Sequence, residues 1–448
     1  MLKRIPKALS LFLALCLVLC CCSGCALLFS GEKTWSFGAR ETPDAGGAAT
    51  APAQAGQTDA PAPTGSAGPT EPAGNAAAFR ETVLASTDAC VVTATGFEPD
   101  GLWGPTFTIL VENKSEKPLM LVAEDATVNG FMCDPFWMCE VPAGKKANSE
   151  MSWSDTALAA CGINYLDIVE FTLRAYDVND YGAPAALLEA VEIQMEHSAP
   201  LPPVGEVAYA NPYPKQTLVD NGLFLIALDN YNPDDGWAAT LALYIENRSD
   251  KTLNFTMDDA VVNGFMCSPY WSCEVAPGKK AISAASWTLD LLHKSGVNYL
   301  DTLACRLRAY DADDWTADDL YNEPLSLRLS NASSLPPLRE MEFAGGFREQ
   351  TIVDDGLLTL IALDFNPDGD WGPTLVLYCE NKTNKTLTLT MEDVSVNDFI
   401  CPPYWYLEVA PGAKAYSECS WSTPDVEAND IAAFEAAEFT LRAYESDN

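Results

Sequence analysis

The stretch Thr240-Leu241-Ala242-Leu243-Tyr244-Ile245-Glu246 decides the fold. Leu241, Leu243 and Ile245 fall on one side of an extended chain while Thr240, Ala242, Tyr244 and Glu246 fall on the other, the period-two alternation of a strand with one face buried. Phe107, Ile109 and Val111 carry the same pattern upstream. Short runs of similar character at 223–228, 252–257, 260–265, 282–287, 303–310 and 325–329 are separated by clusters of Asn, Asp, Gly and Pro that make turns. About seven short strands in roughly 115 residues predict an antiparallel immunoglobulin-like β-sandwich.

Working outward, the whole pattern recurs. Trp103, Trp237 and Trp371 are equally spaced at 134 residues, and the same offset relates Asn113/Asn247/Asn381, Asn129/Asn263/Asn397, Phe131/Phe265/Phe399, Trp153/Trp287/Trp421 and the Leu-Arg-Ala-Tyr runs starting at Leu173, Leu307 and Leu441. The period exceeds the roughly 20–50 residues of a solenoid repeat and is the size of a domain. The fold class expected is therefore all-β: three tandem β-sandwich modules at 79–197, 212–331 and 346–448, joined by proline linkers such as Leu201-Pro202-Pro203. One short helix is expected in each of the first two copies, capped by Ser154 or Thr288 and ended by Gly162 or Gly296. The third copy lacks the segment matching 191–195 and 325–329. Either a strand edge there is open to strand addition or a loop covers it.

The N-terminus bears on compartment. Lys3, Arg4 and Lys7 precede an apolar run from 8 to 22, the order of an export signal. Cys22-Ser23-Gly24-Cys25 resembles the lipobox of bacterial lipoprotein precursors, although Cys22 stands where that family usually has Leu. The resemblance implies cleavage after 24 and a lipidated Cys25, anchoring the chain to the cell membrane on its extracellular side. An uncleaved anchor is the alternative, because 8–29 approaches the roughly 20 apolar residues that span a bilayer. Residues 26–78 are rich in Ala, Gly, Pro, Thr and Ser, with few large apolar residues beyond about 39, a composition that cannot offset its ordering entropy. A disordered tether is expected there, with a reach of roughly 35 Å for its forty most biased residues.

With 26 Lys and Arg against 63 Asp and Glu, the net charge is -37. Nucleic acid is excluded as a partner, because like charges meet along the phosphate backbone. Only His197 and His293 occur, at non-equivalent positions and without a recurring Ser, Cys or Asp beside them, so an enzyme is not expected.

Three features are candidate sites. The aromatic pairs Phe136-Trp137, Tyr270-Trp271 and Tyr404-Trp405 follow a Pro at a hairpin tip; they either stack on a ligand or close one end of the core. Cys133/Cys139 and Cys267/Cys273 lie across that hairpin and suit local disulfides in an exported chain, yet the third copy has Cys401 opposite Leu407. Other cysteines, Cys379, Cys305 and Cys419, replace Ile245, Phe171 and Met151 and read as small buried hydrophobes. The acidic turns before the recurring Trp include Asp234, Asp235, Asp368 and Asp370, which are either calcium ligands or ordinary Asn-Pro-Asp turn residues. No other cofactor is implied.

Asn-Gly-Phe-Met at 129 and 263, followed by Val141-Pro-Ala-Gly-Lys-Lys or Val275-Ala-Pro-Gly-Lys-Lys, resembles repeats in uncharacterised surface lipoproteins of clostridia-like bacteria. The third copy departs from it at Asp398 and Ala413. The resemblance implies display at the cell surface and carries no assigned activity. The expected function is a non-enzymatic array binding an envelope or extracellular protein or glycan, with a structural spacer or homotypic assembly protein as the alternative; oligomeric state is not encoded in any motif.

Overall fold

The computed structural model describes residues 79–180, 185–197, 200–314, 316–329, 341, 343 and 347–446. The segments expected to be the export signal and the tether, with Cys25, lie outside these residues. Three similar all-β modules follow one another.

Module 1 runs β1 (Thr82–Ser86), β2 (Cys90–Glu98), β3 (Thr106–Asn113), β4 (Leu119–Val128), β5 (Phe131–Met132), β6 (Met138–Val141), β7 (Lys146–Ser152), α1 (Asp155–Ala160), β8 (Ile168–Asp177) and β9 (Ala186–Gln194). One antiparallel sheet has the order β1-β2-β3-β7, and the other is built on β4, which pairs with β5, β6 and β8, while β9 lies outside β8. The two inner faces enclose Phe107, Ile109, Val111, Leu121 and Leu173, all without solvent exposure. Module 2 repeats the plan with β10 (Gln216–Asp220), β11 (Phe224–Asn232), β12 (Ala238–Asn247), β13 (Leu253–Val262), β14 (Phe265–Met266), β15 (Ser272–Val275), β16 (Lys280–Thr288), α2 (Leu289–Lys294), β17 (Thr302–Asp311) and β18 (Tyr321–Arg328). Leu241, Leu243 and Ile245 on β12 are buried as their alternation requires. Module 3 has β19 (Gln350–Asp354), β20 (Leu358–Asn366), β21 (Thr374–Asn381), β22 (Leu387–Val396), β23 (Phe399–Ile400), β24 (Tyr406–Val409), β25 (Lys414–Ser420), α3 (Thr423–Ala428) and β26 (Ala437–Glu445).

Recurring polar residues hold each module together. Asn247 is buried; its Nδ2 donates to the carbonyls of Lys251 (2.7 Å), Val275 (2.8 Å) and Ala276 (3.2 Å), and its Oδ1 accepts from the Ser249 amide (2.9 Å) and hydroxyl (2.8 Å). Asn113 and Asn381 do the same in their modules. The fully buried Trp153, Trp287 and Trp421 each donate Nε1–H to the carbonyl of Cys133, Cys267 or Cys401 (2.8, 2.8 and 2.9 Å), tying the loop after β5, β14 or β23 to the end of β7, β16 or β25.

Two local expectations change. The runs 252–257 and 260–265 are not two strands: β13 is continuous and kinked by a bulge between Asp258 and Val261, where Asp259 takes φ 52°. The turn that follows uses Asn263 (φ 52°) and Gly264 (φ 89°). A helix also occurs in the third copy, capped by Ser422 and ended by Asp430 at φ 54°, where the first two copies have Gly162 and Gly296. Aspartate tolerates the left-handed conformation better than most non-glycine residues, so loss of the glycine did not cost the helix its stop.

On the outer side of β26 no strand pairs among the described residues. Phe439 and Leu441 are only half-buried, whereas the equivalent Cys305 and Leu307 in module 2, on a strand that pairs with β18, are buried.

The modules are joined sheet to sheet. The edge of β16 meets β5 in parallel at Lys280 and Phe131, and β25 meets β14 at Lys414 and Phe265, so each joint extends one sheet through two modules. At the first joint the Lys280 amide donates to the Gly130 carbonyl (3.0 Å), Phe131 meets Tyr244 edge-on (6.4 Å between centroids), and the Lys280 ammonium lies 5.8 Å from the Phe131 centroid. The Ala276 amide donates to Met132 Sδ (3.5 Å), and Lys279 Nζ pairs with Glu170 at 2.5 Å. At the second joint the Lys414 amide donates to Gly264 (2.9 Å), Phe265 stacks on Tyr416 (5.7 Å), and the Ala410 amide donates to Met266 Sδ (3.4 Å).

Candidate functional site

The aromatic pairs divide between surface and interior. Phe136, Tyr270 and Tyr404 are 68%, 80% and 93% exposed, whereas Trp137, Trp271 and Trp405 pack inward and donate Nε1–H to Ser149 (2.9 Å), Ser283 (3.0 Å) and Ser417 (3.0 Å). Consecutive residues on an extended segment point to opposite sides, so one ring closes the core and its neighbour meets water.

A second exposed ring recurs in every module. Trp103, Trp237 and Trp371 are 71%, 77% and 81% exposed, and each ends the acidic turn before β3, β12 or β21. In module 1, Ser152 pairs with Thr106 on one side and bridges Phe136 on the other. The backbones of Thr106 and Phe136 are thus two strand spacings apart, about 10 Å. Trp103 lies three residues before Thr106, and Gly104 between them presses on the Trp153 carbonyl, where an added Cβ would come within 2.2 Å. Modules 2 and 3 repeat the bridge, Tyr270 with Ser286 and Tyr404 with Ser420. Each module therefore has its exposed Phe or Tyr on one side of the end of one strand, and on the other side a strand that begins within three residues of its exposed Trp. The Trp component was visible in the sequence as the repeat marker; its position at the tip of a polar turn was the signal that it faces solvent.

In module 2 the acidic turn uses its carboxylate oxygens internally. Asp234 Oδ1 accepts from the Gly236 amide (2.8 Å), and Asp235 Oδ1 accepts from the amides of Trp237 (2.9 Å) and Ala238 (2.8 Å). Asp368 donates its amide to Asn366 Oδ1 (3.1 Å), and Asp370 is exposed. These are turn-forming bonds that aim the following Trp outward. Among the described residues no group of three or more His, Cys, Asp or Glu side chains converges on a point where a metal could be held.

Cys133, Cys139, Cys267 and Cys273 are buried free thiols, as are Cys305, Cys379 and Cys419. The Cys133 thiol faces Cys161, which with burial pushes it up, while Cys267 faces Ser295 and Cys139 faces Ser149. Burial pushes the Cys273 thiol up to about 12. His197 lies 3.4 Å from Asp167 in module 1, whereas His293 is in the last turn of α2 in module 2. Recurring cross-strand pairs, Arg174 with Glu124, Arg308 with Asp258 and Asp319, and Arg442 with Glu392, cover the outer face of the second sheet. No helix among the described residues is long and apolar enough to cross a membrane.

No family model and no curated protein matches the chain. Among solved structures, it is similar to the Salmonella enterica SafA pilin in complex with the SafB chaperone, at 11% identity over 50% of this chain and 89% of that chain, with a TM-score of 0.14.

Proposed function

We propose that the protein is a non-enzymatic, surface-displayed array, tethered to the cell membrane through a lipid on Cys25, whose three modules each offer the same aromatic contact site to an envelope or extracellular ligand. The observation that carries this reading is the threefold recurrence of an exposed Trp and an exposed Phe or Tyr about the end of one strand. Evenly repeated large rings kept in water by structured turns favour a binding role, because such rings contribute most when a partner desolvates them. The net charge of -37 disfavours anionic polymers and leaves uncharged glycans or basic proteins as the fitting classes. Three copies on one chain raise effective concentration, so weak single contacts sum to firm retention on a repetitive ligand.

The test is retention of the full chain on immobilised glycans, peptidoglycan and secreted proteins, compared with a chain carrying Trp→Ala at 103, 237 and 371. Retention that drops with the substitutions supports the reading. Equal behaviour of the two chains, or no retention of either, removes it. A second reading, that of a spacer, is favoured by the sheet continuity at both joints, which limits bending between modules.

A further inference from the structure

The two joints inside the chain define what a module offers on its leading and trailing faces, and the outermost faces of the stack carry the same elements. On the trailing face of module 3, Phe399 and Ile400 hold the positions of Phe131/Met132 and Phe265/Met266, and they are 50% and 72% exposed. On the leading face of module 1, Lys146 holds the position of Lys280 and Lys414, beside exposed Pro142 and Lys145 and half-buried Leu110, which replaces Tyr244 and Tyr378.

The substitutions at these outer faces are matched across the gap between them. The first joint has the ion pair Glu170 with Lys279. The second has Ala304 and Ala413 at the same two positions, so both charges are absent together. The outer faces have Glu438 and Lys145, both exposed, so both charges return together. The amide-to-sulfur bond follows the same rule. Ala276 donates to Met132 and Ala410 to Met266, whereas the outer positions are Pro142, which has no N–H, and Ile400, which has no sulfur. Donor and acceptor are lost as a pair and leave an apolar contact.

We propose that the trailing face of module 3 docks on the leading face of module 1 of a second copy of this chain, β23 lying beside β7, Phe399 against Lys146 and Leu110, and Glu438 against Lys145. The contact is heterologous, so it propagates from copy to copy rather than closing a dimer. Asn148 stands where Ile282 and Tyr416 line the inner joints, which makes this seat less aromatic and the contact reversible. The inference is independent of any ligand for the exposed tryptophans and gives the assembly alternative a specific surface. Because each copy carries a charge of -37, the contact forms at near-physiological ionic strength, where the Debye length is about 8 Å, and fades at low salt.

The experiment is sedimentation equilibrium of the full chain in detergent at roughly 0.15 M ionic strength, with Lys145→Glu, Glu438→Lys and both. The expected result is concentration-dependent association that each single change weakens by about tenfold, and that the double change, or mixing the two single variants, restores. Both positions are exposed, so folding is unaffected. As a second readout, Lys145→Cys with Glu438→Cys gives an oxidation-dependent cross-linked peptide joining the two positions only when both are present. A chain that stays single, or one that associates equally with and without the swaps, overturns the proposal while leaving ligand binding by the aromatic rings untouched.

Discussion

Replacing Asn247 probes the bond that locks module 2. Its Nδ2 is the partner of the Val275 and Ala276 carbonyls, both buried, and of the less buried Lys251 carbonyl. Leucine removes the donor; the Ala276 carbonyl keeps the Lys279 amide (3.1 Å), whereas the buried Val275 carbonyl loses its side-chain partner, so Asn247→Leu should cost about 1–3 kcal/mol. Aspartate keeps the shape and inverts the chemistry: at neutral pH a carboxylate faces three carbonyl oxygens, and the cost exceeds that of leucine. The folded state then raises the new carboxyl's pKa, so its penalty is present above that raised value and is relieved as pH falls below it, because the protonated acid donates one bond. Urea unfolding followed by tryptophan fluorescence, at pH 7 and pH 5, reads both effects; Trp287 reports on this module from a fully buried position. A loss under 1 kcal/mol for Asn247→Leu, or an Asp variant that gains nothing on acidification relative to the parent, would refute the assignment of Asn247 as an obligatory buried donor.

Tyr270→Ala and Trp237→Ala should change stability by less than about 0.5 kcal/mol, since both rings face solvent, while lowering retention on any ligand the array binds; thermal unfolding and the retention assay separate the two. Gly104→Ala should destabilise module 1 strongly, because its Cβ would collide with the Trp153 carbonyl, whereas Gly236→Ala, with nothing near its Cβ, should cost only the roughly 1–2 kcal/mol of a left-handed backbone; chemical denaturation of both variants makes the comparison. Lys117, Lys251 and Lys382 hold Asp177, Asp311 and Asp354 below the usual carboxylate range, so the stabilisation from these pairs is present above about pH 4 and is lost as pH falls through the lower folded-state values. Replacing the three lysines by Met should flatten the fall of the urea midpoint between pH 5 and pH 2.

The strands were legible because burial on one face imposes a period of two that polar turn residues cannot imitate, and the repeat showed every strand but the last of a module three times. The kink in β13 was hidden because Asp258-Asp259 reads as a turn, although the ladder with β17 resumes beyond it at Val261. The third helix was hidden because its stop signal is Asp430 rather than glycine. At the aromatic pair, alternation alone was enough to send one ring inward and the next outward. The joints were the least legible part. Each rests on a single strand bridge between residues far apart in sequence, and the Gly-Phe-Met and Gly-Lys-Lys motifs that meet there read naturally as turns of their own modules. Their partnership appears only once two modules are placed side by side.

Those bridges also decide how the stack yields when its ends are pulled apart. A strand inside a module is held by a full ladder, as β12 is by β11 and β16, whereas each joint has one bridge, an amide-to-sulfur bond, a few ring contacts and, at the first joint, an ion pair. Tension should therefore part the joints while the sandwiches stay intact. Under load such a chain should lengthen in discrete steps and recoil without refolding a core.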